Sequence, residues 1–145
     1  PFFVNCDEIW HAGDIGIPSV LDPLALICPV KAVFGNIDDR VVRSFCPEFL
    51  YLEREGLRVL IIHIAGPFSK YNEKVRSMIR EYQPGLLVCG HSHILKIAFD
   101  TNFSLLYVNP GAYGIQGFHQ VRTALRFEIH NANIQKMEVL EVPRG

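Results

Sequence analysis

No C-x-x-C pair, no apolar run long enough to cross a membrane and no excess of either charge occurs in this 145-residue chain. Each absence excludes something. Fourteen Lys and Arg against fifteen Asp and Glu leave a formal net charge of −1, so there is no basic field for generic nucleic-acid binding. An anion handled here has to be attracted locally, by a bound cation for instance. Cys6, Cys28, Cys46 and Cys89 stand singly, mostly in or beside apolar segments. That pattern indicates reduced, buried thiols and a cytoplasmic setting. A membrane span needs about 18 apolar residues, and neither that nor a basic-then-apolar leader is seen, so no membrane partner is expected.

What is present is a well-packed composition, 49% apolar and 20% charged, which fits a folded domain and argues against disorder. Residues 1–145 are expected to form a single domain. The opening Pro1-Phe2-Phe3-Val4 is not a translation start, and the domain is expected to be incomplete at its N-terminus.

The pattern along the chain predicts βα units first and antiparallel β later. A strand over residues 8–12 runs into Gly13-Asp14, and a short helical segment over 18–26 follows a proline suited to a first turn. A second strand, 30–34, stops at Gly35-Asn36-Ile37-Asp38, and Asp38 and Asp39 can start a short helix ended by Pro47. Residues 49–52 and 57–63 flank a Glu55-Gly56 turn as a hairpin. Val59-Leu60-Ile61-Ile62 is apolar throughout and so expected to be buried on both faces. Ser69 is expected to cap a helix reaching Tyr82, with Tyr71, Val75, Met78, Ile79 and Tyr82 as its core-facing stripe. Leu86–Cys89 then runs into Gly90-His91-Ser92-His93. Hairpins over 94–108 and 125–142 close the chain, with Asn109-Pro110-Gly111 opening a glycine-rich loop between them.

Four apolar strands therefore stop at Gly13-Asp14, Gly35-Asn36, His63 and Gly90-His91-Ser92-His93. Sites in open α/β sheets form outside the carboxyl ends of strands, and glycine beside each polar residue allows a sharp turn or a close approach. Each residue alone has a plainer role: Asp14 as a helix cap, Asn36 as a turn residue, His63 as a hydrogen-bonded core histidine. Four such accidents at successive strand ends are less probable than one shared site, so Asp14, Asn36, His63, His91 and His93 are expected to converge. Alternation along an extended chain would point His91 and His93 to one face. Oxygen and imidazole donors without thiolate suit Mn, Fe, Zn, Co or Ni. One carboxylate against one or two divalent ions leaves net positive charge, which favours an anionic substrate such as a phosphate ester.

With its ordered blocks Gly13-Asp14, Gly35-Asn36-Ile37-Asp38, Ile62-His63, Gly90-His91-Ser92-His93 and Asn109-Pro110-Gly111-Ala112, the chain resembles the calcineurin-like metallophosphoesterases, in their branch of small bacterial and archaeal phosphodiesterases. The resemblance implies an α/β fold, a four-layer α/β/β/α sandwich of two mixed β-sheets flanked by helices. It implies two divalent metal ions, Mn foremost, and hydrolysis of a small phosphodiester by a metal-activated hydroxide. By position, Asp14 would bridge the ions, Asn36, His63 and His91 would complete one shell, and His93 would bind the other ion. Asn36 and His91 carry the catalytic assignment. Self-association is left open.

Three departures from the family pattern bear on activity. The family's first block, Asp-x-His on the first strand, does not occur here, and that strand is expected upstream of Pro1. Ile37 stands where many members have a histidine that helps protonate the reacting phosphate, with His119 and Tyr113 as candidate substitutes. Ile64-Ala65-Gly66 separates His63 from its glycine. A retromer subunit in eukaryotes resembles the same branch and serves as a scaffold for protein partners, so a protein-interaction role is the rival expectation.

Overall fold

The computed structural model describes residues 1–145, with strands β1 (Ile9–His11), β2 (Val30–Ala32), β3 (Phe49–Arg54), β4 (Leu57–Ile62), β5 (Leu86–Val88), β6 (Leu95–Asp100), β7 (Leu105–Pro110), β8 (Val121–His130) and β9 (Asn133–Pro143). Its α-helices are α1 (Asp22–Ala25), preceded by a 3₁₀ turn over Pro18–Leu21, α2 (Arg40–Arg43) and α3 (Glu73–Tyr82).

The centre is a five-stranded mixed sheet in the order β3-β4-β5-β7-β6. Strand β4 pairs antiparallel with β3 across the Glu55-Gly56 turn and parallel with β5, which pairs parallel with β7. Side chains two apart share a face of a strand, and the core divides accordingly. Leu60, Ile62, Leu87, Cys89, Leu105 and Tyr107 pack beneath Val75, Met78 and Ile79 of α3. Val59, Ile61, Leu86, Val88 and Val108 face the other way. Each such aliphatic side chain contributes roughly 1.5–3 kcal/mol on burial. Because both faces are covered, Val59–Ile62 is apolar without interruption.

The second face is covered by two separate pieces, the parallel pair β1–β2 and the antiparallel hairpin β8–β9. Trp10, Ala12 and Val33 from the first piece meet Leu125, Phe127, Ile129 and Met137 from the second over that face. No strand hydrogen bonds join the pieces. They touch through side chains, with Trp10 edge-on to Phe127 at 5.9 Å between ring centroids. Arg126 also lies over the Phe2 ring and donates to the Phe2 carbonyl at 2.7 Å. On the outer side of β1–β2, Ile15, Ala32, Val42 and Cys46 pack with Leu21 and Phe34 under the short helices. Helices, paired strands, the large sheet and α3 thus make the four expected layers.

One local expectation fails. Ser69 does not cap α3; its backbone is left-handed at φ 65°, inside a turn closed by Lys70 N–H to Pro67 O. Asn72 is the cap, its side chain accepting from the Val75 N–H at 2.9 Å. The helix ends at Gln83, whose own left-handed backbone returns its N–H to Ile79 O. No helix is long and apolar enough to cross a membrane. All four cysteines are free, and burial pushes the Cys89 thiol up to about 11.

Candidate metal centre at the strand ends

The loops leaving β1, β2, β4 and β5 meet at one end of the sheets. His63, only 5% exposed, is seated between three oxygens. Its Nδ1 lies 2.7 Å from the Ala12 carbonyl, and its Nε2 lies 2.9 Å from Asn36 Oδ1 and 3.2 Å from Asp14 Oδ2. His91 Nδ1 approaches the same Asn36 oxygen at 3.0 Å, and the two imidazoles stand nearly perpendicular at 5.4 Å. Asp14, Asn36, His63 and His91 are thereby brought together.

No hydrogen bond or ion pair joins His93 to those four residues. Strand β5 stops at Val88, and His91 and His93 both adopt left-handed backbone, at φ 70° and 62°. Alternation requires extended backbone, so the two histidines do not project together. His93 turns instead toward His119, with ring centroids 5.4 Å apart. Asp14 also has positive φ, 59°. Three non-glycine residues held in this sparsely populated region at one end of a sheet carry strain of the kind that collects at functional sites.

Glycines set the close approaches. A Cβ on Gly35 would collide with the Asp14 carboxylate, and one on Gly13 would sit 2.6 Å from His63 Nδ1. The loops are locked by Asp38, which is 4% exposed. Its carboxylate accepts from the N–H groups of Ile15 at 3.1 Å, Gly16 at 2.7 Å and Gly35 at 2.7 Å. Burial works to raise the pKa of Asp38, but the backbone N–H groups of Gly16, Gly35, Ile15 and Asp14 outweigh it and hold the carboxyl below the usual range. Ile37 takes part through its backbone, its N–H donating to Asp14 Oδ1 at 3.2 Å.

Two of these contributors were missed from the sequence. Asp38, read as the end of the Gly35–Asp38 block and, with Asp39, as a helix start, had no role at the site; Asp39 alone caps the helix, accepting from the N–H groups of Val41 and Val42. His11 has no motif to reveal it. Its Nδ1 accepts from the Gly13 N–H at 3.2 Å, and burial holds its pKa below the usual value, with the Asp38 charge opposing and His63 adding to the shift. Tyr113 lies under the Arg122 guanidinium, 4.2 Å from its ring centre.

The donors fit a divalent cation on chemical grounds. With its proton committed to the Ala12 carbonyl, His63 Nδ1–H leaves Nε2 as a lone pair facing the Asp14 and Asn36 oxygens. Lone pairs converging on one point call for a positive charge between them. Donor separations of 2.9 to 3.2 Å match neighbouring corners of an octahedron about an ion bound at about 2.1–2.2 Å. No three His, Cys, Asp or Glu side chains form a finished cage by themselves; the Asn36 amide oxygen links them. Asn36 and His91 are solvent-exposed, so the cluster is open on one side. A cleft of about 350 Å³ adjoins it, lined by Phe34, Asn36, Glu48, His63, Ile64 and Lys74 among others.

Fold and donor set define a layered α/β protein with an oxygen- and imidazole-lined site at its strand ends. The sequence profile of the calcineurin-like phosphoesterase superfamily domain matches residues 2–132, and the chain belongs to that superfamily. A probable metallophosphoesterase of Methanothermobacter thermautotrophicus is 32% identical over 110 residues, 76% of this chain and 62% of that protein. The chain therefore spans less than two thirds of that curated relative. An archaeal phosphodiesterase superposes with a TM-score of 0.71 at 18% identity, over 94% of this chain and 84% of that one. Vps29 from Entamoeba histolytica, solved with zinc, superposes with a TM-score of 0.69 at 15% identity, over 96% and 83%. Identities this low speak for the fold alone.

Proposed function

We propose that this protein is a metal-dependent phosphodiesterase acting on small phosphate esters. The observation that carries the reading is the convergence of Asp14, Asn36, His63 and His91 at the ends of β1, β2, β4 and β5. Asp14, Asn36, His63 and His91 would hold the divalent cation, with Mn the first choice and Fe, Zn, Co or Ni as alternatives, and a second ion would share Asp14 with His93. The cation supplies charge for the phosphoryl oxygens and a water of lowered pKa.

The chain's own groups do the positioning. The Ala12 carbonyl fixes the His63 ring and its tautomer, so that Nε2 faces the site. The Ile37 N–H orients the Asp14 carboxylate. Exposed His91 and Asn36 present the reacting phosphate with the open side of the cluster, and the cleft past Phe34 and Lys74 receives one ester group. The Ile37 side chain, 61% exposed, can give no proton to a departing alkoxide. Esters with acidic leaving groups are therefore favoured.

The test uses the full chain, stripped by chelation and given Mn²⁺, with bis(p-nitrophenyl) phosphate as substrate. Hydrolysis should depend on added metal, and His91→Ala should lower kcat/KM by about 100-fold or more. Absence of metal-stimulated hydrolysis, or an unaffected His91→Ala enzyme, refutes the assignment.

A second reading, a scaffold for protein partners, is favoured by one feature. Ile37, Val41 and Phe45, spaced four apart beside the site, are 61%, 56% and 52% exposed. Near-zero metal content in the purified protein, together with unaltered stability on adding Mn²⁺ or Zn²⁺, would support it.

A further inference from the structure

We infer that Glu48 and Lys74 set the specificity of the cleft beside the Asp14 cluster. They select a phosphate ester whose cleft-bound group is uncharged and carries a hydrogen-bond donor next to an acceptor. The inference rests on the phosphodiesterase reading and names the side chains that read the substrate beyond its phosphate. The cleft and the donor cluster share Asn36 and His63, so a phosphate held at the cluster sends one ester group into the cleft. Its volume of about 350 Å³ is near the lower end for small-molecule pockets, about 300–1,000 Å³. That is room for one ring-sized group.

The lining narrows recognition to two side chains. Phe34, Ile62 and Ile64 are apolar and give contact without direction. Asn72 is used on both sides of its amide, Nδ2 donating to the Ile64 carbonyl at 3.1 Å and Oδ1 accepting from the Val75 N–H at 2.9 Å. Arg43 lies over the Phe34 ring at 4.4 Å, donates to the Asp38 and Gly35 carbonyls and does not line the cleft. There remain Glu48, just before β3, and Lys74, in the first turn of α3, and Lys74 Nζ donates to Glu48 Oε1. Each side chain is about half exposed, and such a pair adds little to stability. Both keep spare bonding capacity: an ammonium has three donors and no acceptor, and a carboxylate only accepts. Side by side they complement the edge of an amide or imide, where an N–H adjoins a carbonyl. A second anionic group would meet Glu48 and a cationic one would meet Lys74, so each member of the pair rejects one sign of charge.

Two p-nitrophenyl diesters, one of thymidine 5′-phosphate and one of phenyl phosphate, are compared on the Mn²⁺-loaded full chain. The thymine imide carries an N–H between two carbonyls, and the phenyl ring carries neither. The kcat/KM ratio should favour the thymidine ester by about tenfold, less than a fully buried polar site achieves. In Glu48→Ala and in Lys74→Ala the ratio should fall to within about twofold of unity. Charge supplies a check of opposite sign that a merely structural role would not produce. Lys74→Ala leaves Glu48 unopposed and should shift preference toward the p-nitrophenyl ester of phosphocholine. Glu48→Ala should shift it toward a carboxyphenyl ester. Calorimetric binding of thymidine 5′-phosphate against phenyl phosphate reads the same preference without turnover. Circular dichroism confirms each fold, and Glu48→Met or Lys74→Met replaces an alanine variant that does not fold. No preference in the wild type, or a ratio unchanged in either variant, overturns the inference. Metal-dependent hydrolysis without the preference removes this inference and leaves the phosphodiesterase reading standing. Missing hydrolysis with a binding preference that depends on Glu48 and Lys74 does the reverse.

Discussion

Replacing Asp38 by asparagine should both destabilise the fold and loosen the candidate site, by an amount the structure sets. Oδ2 accepts from two backbone donors, Ile15 and Gly35, and Oδ1 from one, Gly16. The gentler orientation of an asparagine keeps its oxygen on the first two and turns its NH₂ against the Gly16 N–H. One charge-assisted hydrogen bond is then lost and one buried donor is orphaned, at a cost of about 2–3 kcal/mol. For a chain of this size that is a fall in Tm of roughly 6–9 °C. The pH dependence is a sharper check. A carboxyl whose folded pKa is depressed stabilises fully above its unfolded value, about 3.9, and less as the pH falls through the folded value. The stability gap between wild type and Asp38→Asn should therefore stay constant from pH 8 to about 5 and narrow toward pH 3. Urea unfolding followed by circular dichroism measures it, and every other carboxylate cancels in the comparison. A gap below about 0.5 kcal/mol at pH 7, or one as wide at pH 3 as at pH 7, refutes the reasoning that Asp38 holds the two loops together as a buried anion.

Gly35→Ala should lower metal affinity at the Asp14 cluster at least tenfold, because its methyl displaces the Asp14 carboxylate; calorimetric titration with Mn²⁺ reads it. Tyr71→Phe should cost about 1–3 kcal/mol of stability, since the hydroxyl donates to buried Asp100 at 2.7 Å. Because Tyr71 packs in the α3 core on the far face of the sheet, its kcat/KM should stay within about twofold of wild type; a larger fall would show that the two faces are coupled. Leu60→Ala, at a fully buried position facing α3, should cost about 2–5 kcal/mol in denaturant unfolding, and a loss under 1 kcal/mol would mean that the core collapses around the gap.

The sequence by itself determined the central strands, helix α3 and most of the candidate site, while the four layers were what the family resemblance implied. Unbroken apolar runs such as Val59–Ile62 and Leu86–Val88, bounded by turn residues, suit strands covered on both faces, and the stripe of Val75, Met78 and Ile79 suits a helix packed on one of them. Polar residues placed at the ends of such strands have nowhere to go but the sheet's carboxyl edge, which is why Asp14, Asn36, His63 and His91 were legible together. Tertiary structure decided what depends on backbone conformation between the strands and on contacts between distant loops. His91 and His93 looked alike by spacing, yet their left-handed backbones send one to Asn36 and the other to His119, 26 residues further along the chain. Asp38 looked like a helix start, and the return of the Gly13–Gly16 loop over it adds the Ile15 and Gly16 N–H groups to that of nearby Gly35 and makes it a buried anion. Local patterns fix which face a side chain takes within an element; where a side chain in a loop ends up is fixed by the neighbour that folds back to meet it.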